Sequence, residues 1–235
     1  MKKIILVLIP ALLLIAAAVF HFNKPDRGLR TTEAVYTGLD RAVKGGQLVS
    51  NEDPKAILSF APSFLYLGGQ KFVLYGVADT EQYFFVETTH DGETQTLYWI
   101  QFEAYLPDNT YQYDYEDSPE RLNLNGYDFY LDTAAVESDP NRKRKTGTDG
   151  ARAREFLKTK GYSIPGNYLY ARLVHLTDES RRKELMIIAI ENLSSHGLTG
   201  SDLQDGGKQA QRWPEMEKDF LQRIRDTLEP MPLQN

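Results

Sequence analysis

A run of alternating tyrosine and polar side chains has the residue types best suited to chemistry in this sequence. The run reads Tyr111, Gln112, Tyr113, Asp114, Tyr115 and Glu116. Because successive side chains of a strand point to opposite faces, a strand here has one tyrosine face and one acidic face. With Glu103 and Asp108 nearby, the carboxylates suit calcium ligation or hydrolysis by a carboxylate pair. A carboxylate-rich strand edge also commonly serves solubility alone, and we favour that structural role.

A general base is the second chemical role that the sequence offers. The four histidines are His21, His90, His175 and His196. No two of them stand at a short metal-ligand spacing, and His175, which lies in a strand-like stretch, is the one expected to be ordered. It is the weak candidate for a base, with Glu103, Asp108 and Asp114 as the carboxylates of a hydrolase. No nucleophile elbow, zinc motif, phosphate loop or dinucleotide fingerprint occurs. We therefore expect no cofactor and no metal, and favour a protein that is not an enzyme.

Four adjacent cations form a patch suited to binding. They are Arg142, Lys143, Arg144 and Lys145. Near an anionic lipid surface each such residue contributes about 1 kcal/mol of attraction. An acidic partner protein is the other binding interpretation, and a flexible solvated loop is the simpler one. The candidates for partner contact are these four residues together with Tyr111, Tyr113 and Tyr115.

The composition of the chain excludes several classes of function. A net charge of −6 and a pI near 5.3 argue against a nucleic-acid binder, which needs a basic surface. There is no cysteine, so disulfides, thiol nucleophiles and thiolate metal sites are excluded. With 41% hydrophobic and 11% aromatic residues, the chain has the composition of a sheet-rich globular domain.

The N-terminus carries the segment that is expected to locate the protein. Lys2 and Lys3 precede an apolar run from residue 4 to residue 20, and no comparable run follows. Its roughly 17 residues are near the lower limit for a membrane span and exceed the apolar core of a cleavable signal. Ala16 and Ala18 have the spacing that signal peptidase prefers, so cleavage is the alternative. We favour an N-terminus-inside anchor, with residues 4–22 in the membrane.

This membrane segment sets the expected domain organisation. Residues 1–23 are predicted to be an anchor or uncleaved signal, residues 24–30 a linker, and residues 31–235 a single extracytoplasmic domain. The stretches 101–109 and 181–185 resemble segments of uncharacterised bacterial envelope proteins. Taken with the apolar N-terminal segment, this resemblance leads us to expect a single-pass protein of the bacterial inner membrane, with its soluble domain in the periplasm or outside the cell.

The part of the chain from residue 56 to residue 130 predicts successive antiparallel strands. Three residue pairs containing glycine separate hydrophobic stretches and suit tight hairpin turns. They are Gly68-Gly69, Asp91-Gly92 and Asn125-Gly126. Two later strands, 168–177 and 184–193, are separated by a charged turn. Because residues 185–190 are apolar on both faces, the second of these strands is expected in the centre of the sheet.

Three helices are predicted to cover this sheet. They span residues 31–45, 148–161 and 213–228, and the last carries an apolar stripe at helical spacing. The expected fold class is therefore α+β. It consists of a largely antiparallel meander sheet covered by helices, similar to an α/β/α sandwich, after one N-terminal transmembrane helix.

Together these features predict a membrane-anchored extracytoplasmic binding or accessory module, which contacts a partner protein of a membrane or envelope complex. Two alternatives come from other classes. One is an envelope hydrolase that uses a carboxylate and a histidine. The other is a domain that binds calcium or a small ligand. The hydrolase requires at least two of its candidate side chains to meet in one pocket, because proton transfer needs hydrogen-bond reach.

Overall fold

Two antiparallel sheets make up most of the structure, a computed structural model that describes residues 31–139, 141, 143 and 145–232. In chain order, the strands are β1 (Ala42–Lys44), β2 (Gln47–Ser50), β3 (Ala56–Phe60), β4 (Leu65–Leu74), β5 (Ala78–Thr88), β6 (Thr94–Tyr105), β7 (Glu120–Leu124), β8 (Tyr127–Glu137), β9 (Asn167–Leu176), β10 (Lys183–Asn192) and β11 (Leu228–Pro232). The α-helices are α1 (Asp149–Thr159), α2 (Gly200–Leu203) and α3 (Trp213–Thr227).

The larger sheet has seven strands in the order β4-β5-β6-β10-β9-β8-β7. Its central strand is β10, which confirms the position predicted from the apolar stretch 185–190. Leu185 and Ile187 belong to the core on one face, and Met186 and Ile188 belong to the core on the other. A strand covered on both faces needs apolar residues at successive positions, and this sequence supplies them.

Different layers cover the two faces of the larger sheet. On one face, which we call the sheet face, lie the smaller sheet (β1-β2-β3-β11) and α3. On the other, which we call the helix face, α1 packs through Ala153, Phe156 and Leu157. The structure is therefore α+β and dominated by antiparallel sheet, with fewer helices than an α/β/α sandwich has.

The helix predicted for residues 31–45 is wrong. Residues 31–41 are irregular and border β4, and the chain then enters β1. Val35 exchanges two backbone hydrogen bonds with Lys71, and Thr32 N donates to Val73 O. The edge of β4 thus provides the backbone hydrogen bonds of this segment, which in a helix would form within the segment itself. The helices at 148–161 and 213–228 are confirmed, although the second ends at Thr227 and Leu228 begins β11.

The prediction of a hairpin at Gly68-Gly69 is also wrong. The predictions of turns at Asp91-Gly92 and Asn125-Gly126 are confirmed. Both glycines lie within β4, where the pairing with β5 shifts register between Tyr66 and Gly68. A Cβ atom on Gly69 would lie 2.8 Å from Gln82 O, so glycine here allows close approach of two strands. The two glycines therefore allow a β-bulge and a close contact between strands, and they do not form a turn.

The predicted membrane segment, residues 4–22, lies outside the described residues, as do the linker and the cations Arg142 and Arg144. Within the part of the chain that the structure describes, every helix is too short or too polar to cross a bilayer.

Candidate functional site

A row of glutamines crosses the helix face of the larger sheet. Gln70 donates to Gln82 at 2.7 Å, Gln82 donates to Gln101 at 2.8 Å, and Gln101 donates to Glu103 at 2.8 Å. Gln70 and Gln82 also donate to backbone carbonyls of Arg152 and Asp149 in the first turn of α1. These bonds satisfy buried amides and fix the start of α1 against the sheet.

Beside this row lies a pair of carboxylates, Glu103 of β6 and Glu184 of β10, which we call the carboxylate pair. The two residues are directly opposite in the β6–β10 register, and their side chains share the helix face. Tyr113 Oη donates to Glu103 Oε1 and Tyr115 Oη donates to Glu184 Oε2, each at 2.7 Å. Glu184 is 3% exposed, whereas Glu103 is half-buried. The two carboxylates thus lie at the inner edge of the sheet surface, with tyrosine hydroxyls as their donors.

Burial dominates the acid–base behaviour of this pair. It raises the pKa of Glu103 to about 7, and the hydrogen bond from Tyr113 opposes part of that rise. For Glu184, burial and then the charge of Glu103 raise the pKa well above its ordinary value, and the hydrogen bond from Tyr115 and the charge of Arg172 offset this in part. Because the two residues face each other across paired strands, their carboxylates repel when both are ionised. The buried pair therefore favours a state that keeps a proton.

The tyrosine run does not form a strand with a neighbour. Residues 109–115 have no regular secondary structure. Tyr113 N donates to Arg181 O in the β9–β10 turn, and the Arg181 side chain donates through Nε to Tyr113 O. The expected division of faces holds for Tyr113, which is buried, and for Asp114, which is exposed, but not for Tyr111. Tyr111, at 36% exposed, is the partner-contact candidate of this run that faces outward. Tyr113 and Tyr115 are turned inward to the carboxylate pair.

The weak catalytic candidates are not brought together. Glu103 lies on the helix face, whereas His175 lies on the sheet face, where its ring contacts Tyr127 at a centroid distance of 5.1 Å. Asp108 and Asp114 are exposed, and Asp114 pairs with Arg181. Among residues 31–232 that are described, no group of three or more His, Asp or Glu side chains is arranged to hold a metal ion.

A second feature is a cleft of about 760 Å³, which we call the acidic cleft. Its walls are residues 32–41, the loop at Glu52 and Asp53, the ends of β4, β5 and β6, and Lys183. Seven of its 17 lining residues are Asp or Glu and three are Lys or Arg, so its lining has an excess of negative charge. Glu103 borders the cleft, but strand alternation directs its carboxylate to the helix face.

Arg41 fixes one wall of the acidic cleft. Its guanidinium lies 3.8 Å from the ring centroid of Phe102 and donates to Glu81 Oε2 at 3.0 Å. Arg41 also donates to Ser50 Oγ and to the carbonyl of Asp53, while Tyr83 Oη donates to Glu81 Oε2 at 2.7 Å. The side chains of Arg41 and Glu81 are only 10% and 6% exposed. This ion pair is therefore largely removed from solvent and is held in place by several hydrogen bonds.

Other carboxylates of the acidic cleft face solvent. Asp53 pairs with Lys183 at 2.7 Å across the rim, and Asp40 lies 3.9 Å from Lys71. Asp79 and Glu52 are exposed, and neither has an ion-pair partner in the described part of the chain. These two acids are therefore available to a ligand.

Of the four cations in the predicted basic patch, Lys143 and Lys145 are described, and both are exposed. They lie in the loop before α1.

No protein-family model, curated protein or solved structure matches this chain.

Sequence reasoning missed both the carboxylate pair and the acidic cleft. The signal for the first was present: Gln82, Gln101 and Glu184 each stand directly beside an apolar stretch of their strand (83–86, 97–100 and 185–190). Such residues must find partners when they are buried.

Proposed function

We propose that this protein is a membrane-anchored extracytoplasmic binding module, an accessory component of a membrane or envelope complex. Its acidic cleft receives a positively charged segment of the partner protein. The observation that carries this proposal is the cleft itself, with its excess of carboxylates and the unpaired acids Asp79 and Glu52. Complementary charge gives specificity and speeds the encounter of partners.

The position of the cleft supports a partner at the membrane. Its wall begins at Thr32, just after the predicted linker. The ten residue steps from residue 22 to Thr32 reach at most about 36 Å when fully extended. With residues 4–22 in the bilayer, the start of the cleft wall is held within that distance of the membrane surface, beside the exposed portions of membrane proteins.

Membrane attachment is tested by fractionation. We expect the full-length protein in the membrane fraction after an alkaline carbonate wash, because an apolar span resists extraction. A variant that lacks residues 1–23 and keeps the rest should move to the soluble fraction. Full-length protein found in the soluble cytoplasm would refute the proposed location.

Reversing charge in the cleft tests the binding proposal. In the full chain in detergent, the double variant Asp79→Lys and Glu52→Lys should bind a labelled lysine-rich peptide at least about tenfold more weakly, because attraction becomes repulsion. Fluorescence anisotropy measures the affinity. The matched control is Asp205→Lys and Asp219→Lys, which changes two exposed acids outside the cleft by the same charge.

The control should keep the affinity within about twofold, since screening weakens charges more than a Debye length away. Equal losses in the two variants would mean that net charge alone attracts the peptide. Unchanged binding in the cleft variant would rule the acidic cleft out as the binding site.

A further inference from the structure

The segment from residue 109 to residue 118, which we call the tyrosine lid, contacts the sheet in two distinct ways. Inside, Tyr113 and Tyr115 donate to the carboxylate pair, and the ring of Tyr113 stacks on Tyr105 at 4.3 Å. Outside, Arg181 pairs with Asp114 and Glu116 at 3.2 and 3.3 Å. The carboxylates of these outer ion pairs are 77% and 59% exposed, so the two ion pairs contribute little. Hydrogen bonds to the backbone also hold the lid from outside: Tyr113 N donates to Arg181 O at 2.7 Å, and Arg182 Nη1 donates to Tyr111 O at 2.9 Å.

The surroundings of the carboxylate pair leave a fully ionised state poorly compensated. The charged and titratable groups facing it are Tyr113 and Tyr115 of the lid, Asp149 of α1, and Arg172 of β9 with its partner Asp132 of β8. Asp149 adds negative charge. Arg172 reaches Glu184 with its positive charge, but it already forms a 2.6 Å ion pair with Asp132. When both carboxylates are ionised, none of these groups therefore provides an unpaired cation to neutralise the second negative charge.

A hydroxyl beside the pair is also unsatisfied. Thr80 lies directly opposite Glu103 in the β5–β6 register and is 2% exposed. It stands near enough to lower the pKa of Glu103 slightly, yet its Oγ1 makes no hydrogen bond of normal geometry with any described residue. An unsatisfied buried hydroxyl is costly, and water that enters when the lid moves away can satisfy it.

We propose that the carboxylate pair is a proton-operated latch for the tyrosine lid. While the pair holds a proton, the lid is closed over it. When the last proton leaves, repulsion between Glu103 and Glu184 admits water and the lid opens. The lid yields rather than the strands, because β6 and β10 are paired along their length in the middle of the sheet. Opening exposes Tyr113 and Tyr115, and tyrosine is enriched in protein interfaces.

Hydrogen–deuterium exchange on the full chain tests the latch. After correction for the intrinsic effect of pH, protection of the lid amides should fall at least about tenfold between pH 6 and pH 9, while β10 stays protected. Tyr113 and Tyr115 remain neutral donors over this range, because burial raises the pKa of both well above the usual value.

Two variants and one control decide the outcome. Glu184→Gln and, independently, Glu103→Gln remove the possibility of two adjacent charges, so each should abolish the fall in lid protection. Glu116→Gln removes a charge on the outer side of the same segment and should keep the wild-type response. The latch is overturned if lid protection does not change with pH, if β10 loses protection together with the lid, or if both pair variants respond like wild type.

Discussion

Replacing Glu81 with alanine is expected to lower the free energy of unfolding by about 3–5 kcal/mol, because it leaves a buried cation without its anion. The side chain of Arg41 is 10% exposed, and its partner Glu81 is 6% exposed. Tyr83 Oη would lose the same carboxylate as its hydrogen-bond acceptor. Urea unfolding followed by tryptophan fluorescence measures the change.

Glu116→Ala is the matched control for this prediction. Glu116 pairs with Arg121 at 3.2 Å and with Arg181 at 3.3 Å, but its side chain is 59% exposed. Removing an exposed pair costs about 0–1 kcal/mol, so the loss of both pairs should cost less than about 2 kcal/mol. Arg41→Ala should cost less in the Glu81→Ala background than in the wild type, because the two side chains depend on one another. If Glu81→Ala and Glu116→Ala have equal effects, the buried ion pair does not hold the cleft wall.

Stability is expected to fall as the pH rises from about 5 to about 8, because of the carboxylate pair. The pKa of Glu103 is raised from 4.5 to about 7, and that of Glu184 is also raised. Between the unfolded and folded pKa values, the native state binds more protons than the unfolded state. Raising the pH then favours unfolding, by on the order of 2–3 kcal/mol for a shift of this size.

Unfolding in urea at intervals of half a pH unit measures this dependence. Comparison with Glu184→Gln separates the pair from other carboxylates, since the variant cannot form two adjacent charges. The difference in stability between wild type and variant should shift in favour of the variant as the pH rises. A difference that is constant with pH would show that the pair does not titrate in this range.

The parts of the fold that were predictable depend on local signals. Asp91-Gly92 and Asn125-Gly126 place turns because their backbone angles are set within a few residues, and Gly92 and Gly126 have φ values of 82° and 92°. The central position of β10 followed from its own apolar residues. Gly68-Gly69 has the same local pattern as the true turns. In β4, however, the lack of a side chain at Gly69 allows close approach of the neighbouring strand β5.

The position of the carboxylate pair depends on the register between β6 and β10, which no local sequence pattern predicts. Glu103 and Glu184 are 81 positions apart in the sequence and become neighbours only because β6 pairs with β10. The same alternation sends His175 to the opposite face of the sheet. The helix prediction for residues 31–41 was wrong for a related reason. These residues form their backbone hydrogen bonds with the edge of β4, which is distant in the sequence. Residue types were therefore predictable at this site, and their association was not.

The contacts of residues 31–41 have a mechanical consequence for a tethered protein. In a protein tethered through residues before Thr31, tension on the chain first meets the hydrogen bonds that Thr32 and Val35 make with β4. The ion pair between Arg41 and Glu81 is a second attachment, and it comes before the chain enters β1. Because residues 32–41 also line the acidic cleft, a partner bound there would stiffen the connection between the tether and the folded domain of a tethered protein.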